Sequence, residues 1–324
     1  MSAFDPRPYL KEIARGKNGA RNLTRDQAKE LFAAVFAGEV ADVALGALLI
    51  ALRVKGENAS ELAGMMDALE PHVLRLKLPQ RRAQPAIIPT YNGARKLPNL
   101  VPLMALLLAR EGVPVLLHGA AQEPQRVGTF AILSLLGHPP VTTIAEAEAR
   151  LEQHLLAAVP VGVLSTALAR LLDVRLETGV RNCGHTVAKL LLPGGVPAAA
   201  ACRLIAVTHP DFMALMREHF STRPANVFLM RGAEGEPVVR LHAPQPIEQI
   251  DPQGESVTHV MGDGDREFEL PARDAPATAQ WTADVLDGKA LAPAALLRQV
   301  ALVAGHCRST GASSRQPLKL VSST

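Results

Sequence analysis

The sequence predicts an α/β protein: a small N-terminal helical domain over residues 1–80 and a larger α/β domain with a mostly parallel sheet over 81–308. Two observations predict it. Residues 6–78 show apolar spacing of helical period only. From residue 85 onward, short apolar runs alternate with longer helical stretches, the pattern of a sheet whose strands are joined by helices. The length of 324 residues is enough for one large or two ordinary domains with a substantial core.

In chain order, Thr24 is a helix N-cap with Gln27 at the capping-box position, and Leu31, Phe32, Val35 and Phe36 follow at helical spacing until Gly38 ends the helix. Val43 to Val54 is a second helix, apolar nearly all round and expected to be buried. Asn58-Ala-Ser-Glu61 starts a third, running to about Leu69. Ile87-Ile88, Val113–Leu117, Val159–Val163, Asn226–Met230 and Pro237–Leu241 read as strands, and Leu103–Ala109 as a helix. Pro244 to Pro276 is rich in Pro, Gly and Asp and reads as irregular. Residues 278–305 read as one or two closing helices, and 309–324 as a flexible basic tail.

Hydrophobic residues make up 48% of the chain and aromatics 3%, so the core is built from Ala, Leu and Val. No apolar run reaches the roughly 18 residues needed to span a membrane. The first residues have neither a basic nor an apolar leader segment. Cys183, Cys202 and Cys307 are dispersed and odd in number, which fits a reducing cytoplasm and argues against a disulfide framework or a zinc site. Charge is uneven. Residues 1–231 carry 26 Lys/Arg against 19 Asp/Glu, residues 232–288 carry 3 against 12, and residues 289–324 carry 5 against none. A basic body with an acidic segment points to a polyanionic partner, against the plainer reading of scattered solvated arginines.

Residues 89–102, Pro-Thr-Tyr-Asn-Gly-Ala-Arg-Lys-Leu-Pro-Asn-Leu-Val-Pro, lie between a strand and a helix N-terminus, the natural place for a phosphate-binding loop. The composition is wrong for one: a single glycine, three prolines and an Arg-Lys pair.

The stretches Leu23-Thr-Arg-Asp-Gln-Ala-Lys-Glu-Leu-Phe, Gly38-Glu-Val, Ala51-Leu-Arg-Val-Lys-Gly-Glu57, Glu61-Leu-Ala-Gly64 and Glu177-Thr-Gly-Val-Arg-Asn-Cys-Gly-His-Thr-Val-Ala-Lys189 resemble anthranilate phosphoribosyltransferase and the related pyrimidine nucleoside phosphorylases, over roughly residues 10–305. The resemblance implies the nucleoside phosphorylase/phosphoribosyltransferase fold. It also implies a return of the chain to the helical domain near 175–195, a cleft between the domains, and a homodimer formed through the helical domains. The family's Gly-Thr-Gly-Gly-Asp-Gly and Asn-Ile-Ser-Thr fall on Pro89–Ala94 and Asn99–Pro102, where only Thr90 and Asn99 match. Its Lys-His-Gly-Asn-Arg falls on Leu117-His118-Gly119-Ala120-Ala121. Its magnesium-binding Asp-Glu pair falls near Glu234 and Glu236, which are not adjacent. Keeping the scaffold while losing the phosphate loop resembles a second branch of the family, the TrpD-like DNA-binding proteins (YbiB type). That branch implies DNA or RNA held in a basic groove with little sequence preference.

On this reading Arg95, Lys96, Arg126, Arg181, Lys189 and Arg231, with the basic arm Arg15, Lys17 and Arg21, are the phosphate-contacting residues. Each has the alternative of a solvated or helix-capping cation. No cofactor is needed and no residue is assigned as catalytic. The alternative is a phosphoribosyltransferase with altered ligands, in which Thr90, Asn99, His118, Gly119 and Arg181 bind substrate and Mg²⁺ is required. A third reading is an inactive scaffold that binds a protein through the acidic 232–288 segment. His118 and His185 suit acid–base roles but have no partner in sequence, and structural histidines fit as well. Cys183 reads as a buried thiol. With two tyrosines and one tryptophan, electrostatic tracking of a backbone is expected rather than serial base stacking, although Tyr91 is placed to stack on one base.

Overall fold

The computed structural model describes residues 4–16, 18–121, 125–223, 225–261 and 268–313. Helices α1 (Arg7–Ile13), α2 (Arg25–Ala37), α3 (Asp42–Lys55) and α4 (Ala59–Leu69) form the N-terminal layer. Both predicted helix starts carry complete capping boxes: Thr24 with Gln27 opens α2, and Asn58 with Glu61 opens α4. Glu61 does more than cap. It is fully buried, accepts from Leu23 N at 2.8 Å, and pairs with Lys55 Nζ at 2.7 Å, so one carboxylate ties three chain segments together. Helix α3 departs from expectation. Leu48, Leu49 and Leu52 are buried, but Val43, Ile50 and Val54 stand exposed along its outer face.

The sheet has seven strands among the described residues: β1 (Ala86–Thr90), β2 (Val115–Gly119), β3 (Leu156–Pro160), β4 (Cys202–Ala206), β5 (Val227–Met230), β6 (Pro246–Ile250) and β7 (Ser256–Val260). Their order is β3-β2-β1-β4-β5-β6-β7, parallel through β5 and antiparallel at β6 and β7. Between them run α5 (Val101–Arg110), α6 (Thr129–Leu135), α7 (Ile144–His154), α8 (Val161–Leu164), α9 (Thr166–Thr178), α10 (Gly184–Leu190) and α11 (Pro210–Thr222), and α12 (Ala275–Leu286) and α13 (Ala294–Ser313) close the chain. Strand alternation divides the core in two. Ile87, Leu116, Ile205 and Leu229 face the layer that contains α2–α4 and α9–α10, whereas Ile88, Leu117, Leu204 and Phe228 face α5 and α13. The chain returns to the helical layer over α8–α10, earlier than residue 175, because α9 packs on α2 and Arg170 donates to Phe36 O at 3.1 Å.

Four sequence expectations are corrected. Pro237–Leu241 is not a strand. It is a buried coil, apolar because Val238 and Val239 pack beneath α13, with Val239 N bonded to Gln299 Oε1 at 3.0 Å. The stretch 244–276 read as irregular contains β6 and β7, whose signal is weak because β7 is a solvated edge with Val257 and Val260 exposed. The strand placed at 159–163 ends at Pro160, where α8 begins. Helix α13 continues through Ser313, so residues 309–313 of the expected tail are helical, and the remainder of the tail lies outside the described residues.

Candidate nucleic-acid interface

Strand β1 delivers the 91–100 loop to the carboxyl edge of the sheet, the edge at which parallel sheets bind ligands. The loop is anchored from below. Tyr91 turns inward and its hydroxyl bonds His118 Nδ1 at 2.8 Å. Both side chains are buried, and burial pulls the His118 pKa down to about 3. Thr90 and Thr129 hydroxyls meet at 2.6 Å. Asn99 donates to Val127 O and Thr129 Oγ1, each at 3.1 Å, and its Oδ1 accepts from Val101 N. Gly119 pairs in register with Thr90 so closely that a Cβ would lie 2.0 Å from Thr90 O. Thr90, Asn99, His118 and Gly119, placed by sequence among the substrate ligands of a transferase, are thus the buried support of the loop, and none lines the main cleft. Tyr91, at 2% exposure, has no face open to a base.

The backbone donors of the loop are occupied by the protein itself. The turn after β5 carries Glu234, a non-glycine residue at φ +52, and Gly235 at φ +86. A Cβ on Gly235 would lie 1.8 Å from Asn92 Nδ2, so only glycine permits this approach. Glu236 Oε1 accepts from Asn92 N and Gly93 N, both at 2.7 Å. The Glu234 carboxylate accepts from Arg95 N at 2.9 Å, Lys96 N at 3.1 Å and Leu97 N at 3.2 Å. Five N–H groups of one loop therefore converge on two carboxylates, the arrangement a phosphate loop offers to a phosphate. Partial burial pushes the Glu234 pKa up, but the three N–H groups and Arg126 outweigh it and hold the carboxyl below its usual range. Burial wins at Glu236 and raises it, against Asn92, Gly93 and Lys189. A magnesium ion does not fit here, because three of the four carboxylate oxygens already face N–H donors and the fourth, Glu236 Oε2, is buried. Among the described residues no group of three or more His, Cys, Asp or Glu could hold a metal.

Above this clasp lies a cleft of about 510 Å³ between the α3–α4 connection and the carboxyl ends of the strands. Arg53, Arg126, Arg181 and Lys189 line it, with Glu57 and Glu234 as the acidic members. Arg181 donates to Tyr91 O at 3.1 Å and to Asn92 Oδ1, and its own carbonyl accepts from Arg53 Nη1 at 2.7 Å. Arg126 reaches Gly93 O at 3.3 Å. Lys189 Nζ donates to Ala206 O at 2.5 Å and Gly235 O at 3.3 Å. Burial lowers its pKa to about 8 against the pull of Glu236. His185 lines the cleft with a pKa of about 3, lowered by burial and then by Arg181 and Arg175, so it is neutral. Cys183 is buried, and burial pushes its thiol far up, which makes it inert.

Arg95 and Lys96 are exposed and do not line the cleft; their backbone N–H groups are bonded to Glu234, which does. Two cations absent from the sequence assignment contact assigned ones. Arg273 donates to Arg95 O at 3.1 Å, and Arg240 donates to Arg231 O at 3.2 Å. Arg95, Lys96, Arg231, Arg240 and Arg273 are all exposed, and none forms an ion pair among the described residues. Arg53 was also missed, although it sits inside the Leu-Arg-Val-Lys-Gly-Glu fragment that carries the family resemblance. The basic arm is different. Arg15 and Arg21 share the carboxylate of Glu12 and do not line the cleft, and Lys17 lies outside the described residues.

Comparison with known proteins matches this architecture. The helical bundle domain of the glycosyl transferase family matches residues 7–72. YbiB, an uncharacterised protein of Escherichia coli (strain K12), is 40% identical over 92% of this chain and 93% of its own length. Anthranilate phosphoribosyltransferase of Thermus thermophilus is 32% identical over 67% of this chain and 64% of the enzyme. Among solved structures, an anthranilate phosphoribosyltransferase (TrpD) from Thermus thermophilus superposes with a TM-score of 0.73 at 23% identity, covering 94% of this chain and 95% of that one. The Saccharomyces cerevisiae enzyme in complex with PRPP and Mg gives 0.71 at 13% identity, covering 94% and 91%. Sequence and fold agree: the chain belongs to the anthranilate phosphoribosyltransferase-like family, with YbiB among its relatives.

Proposed function

We propose that this protein binds nucleic acid as a homodimer, through phosphate contacts and with little sequence preference, on a phosphoribosyltransferase scaffold. The observation that carries the reading is the clasp. With five loop N–H groups bonded to Glu234 and Glu236, a pyrophosphate entering the loop meets two carboxylates instead of free donors. Side-chain cations line the cleft walls, and further exposed cations flank the loop. Such a spread of side-chain charge suits a chain of phosphates better than one pyrophosphate. The exposed Val43, Ile50 and Val54 on α3 supply the apolar face for pairing two helical domains.

Binding of a DNA duplex, a single strand and an RNA across a salt series tests the reading. Log affinity should fall linearly with log salt, with similar slopes for unrelated sequences. A flat salt dependence, or no binding at low salt, would reject it. Phosphoribosyl transfer is the second reading, favoured by the likeness to the Thermus thermophilus enzyme and by Arg126, Arg181 and Lys189 around an open cleft. Saturable calorimetric binding of phosphoribosyl pyrophosphate with Mg²⁺ would decide for it.

A further inference from the structure

A second cavity, of about 540 Å³, lies at the opposite end of β4 from the cleft. It is walled by α4, α11 and the 190–198 connection, with Met66, Leu69 and Val196 on its apolar side. Arg203, the second residue of β4, lines it and is only 6% exposed. Its guanidinium lies over the Phe220 ring at 5.2 Å and, among the described residues, has one hydrogen bond, from Nη1 to Leu190 O at 3.2 Å. Nε is buried without a partner, and no carboxylate pairs with Arg203 among the described residues. Burial lowers its pKa to about 10, so it remains charged at neutral pH. His219, at 3% exposure, lines the same cavity with Nδ1 unpartnered. Asp67 does not relieve this imbalance, since it is bonded to Arg25 and Arg223, both at 2.6 Å, and those two arginines line the cavity as well.

A buried guanidinium without a counter-ion is costly, and an arginine fork matches carboxylate and phosphate oxygens in pairs. The surrounding apolar wall excludes water from such a pair and gives room for a hydrocarbon body. We propose that this cavity binds a small organic anion, a carboxylate or a phosphate with an apolar body, whose charged end pairs with Arg203 and whose body lies against Met66, Leu69 and Val196. The site is separate from the nucleic-acid cleft and does not depend on that reading.

The test is calorimetry on the full chain with hexanoate and hexyl phosphate, alongside inorganic phosphate and hexanol as charge-only and body-only probes. At least one of the two amphipathic anions should bind more tightly than either control, and which one it is identifies the headgroup. Arg203→Met should weaken that binding at least tenfold, whereas Arg181→Ala in the cleft should leave it unchanged. Equal binding by Arg203→Met, loss on Arg181→Ala, or no saturable binding of either anion overturns the proposal. If Arg203→Met does not fold, Ala198→Trp, which fills the cavity from its rim loop, decides: unchanged binding in that variant also overturns it.

Discussion

At the carboxyl end of β4, N–H donors and cations meet carboxylates that the chain supplies from its own Glu234 and Glu236. At the amino end of the same strand, Arg203 is buried and pairs with no carboxylate among the described residues, although Glu70 lines the same cavity and Asp67 is taken by Arg25 and Arg223. Both regions lie where the helical layer meets the α/β layer, and both are rich in arginine. The difference teaches that counting cations around a cavity does not say which ligand it takes. What matters is whether the donors are already answered. In the cleft the backbone donors are, and only side chains remain to bind; in the second cavity the guanidinium itself remains.

The contrast can be broken most severely at Glu236. Glu236→Ala strands two buried N–H groups, and Lys189 loses its counter-charge, so unfolding in denaturant should show a loss of about 3 kcal/mol. Glu236→Gln keeps the acceptor and should cost much less. If both variants are equally stable, the clasp does not hold the loop. Next in size, Arg95→Ala with Lys96→Ala should weaken binding of all nucleic-acid sequences alike and lower the salt slope by about 2, one per phosphate contact. An unchanged slope would remove these residues from the interface. Arg203→Met should move stability in the opposite direction from Glu236→Ala. Replacing an unpaired buried charge with an apolar side chain of similar length should leave the ligand-free protein as stable as before or stabilise it by about 1 kcal/mol. A large loss there would mean that Arg203 has a counter-charge in the native state. The smallest effect on binding is its pH dependence. Lys189 has a folded pKa of about 8, below its ordinary value of 10.5, so the folded chain releases this proton first. Its contribution to stability therefore rises between pH 8 and 10.5, while nucleic-acid affinity falls slightly across the lower part of that window. Lys189→Met should flatten the affinity profile above roughly pH 7.5 without changing its salt slope by more than about one contact.

Much of the frame was legible because it rests on local rules. The capping boxes at Thr24 and Asn58, the strand before the loop and the closing helices are written in residues a few positions apart. Strand β4 was not read, although Ala201 to Val207 is nearly continuous in apolar residues, because its Arg203 interrupts the run and alanine and proline positions precede it. Val238 and Val239 misled in the other direction, since a buried coil and a buried strand have the same composition. In the site, Arg126, Arg181 and Lys189 converge as the sequence placed them, around the cleft. Arg181 and Lys189 do so without sharing a helix face, since α10 begins only at Gly184. What could not be read was the direction in which Glu234 and Glu236 point. Their partners lie about 140 residues away in sequence, and a carboxylate bonded to N–H groups has the same letter as one bonded to a metal.

The return of the chain over α8–α10 has a consequence for how such proteins recombine. Arg170 reaches Phe36 O, Arg53 reaches Arg181 O, and Leu168 and Leu171 share a core with Phe32 and Leu62. A crossover between two homologous genes placed near residue 72, where the helical bundle match ends, would join one parent's α2–α4 to the other parent's α9. The hybrids would inherit mismatched halves of a single packed surface. Breakpoints that keep Arg7–Leu69 together with Val161–Leu190 respect the physical unit, so exchange between relatives is favoured as a matched double insertion and disfavoured as a simple swap of the N-terminal helices alone.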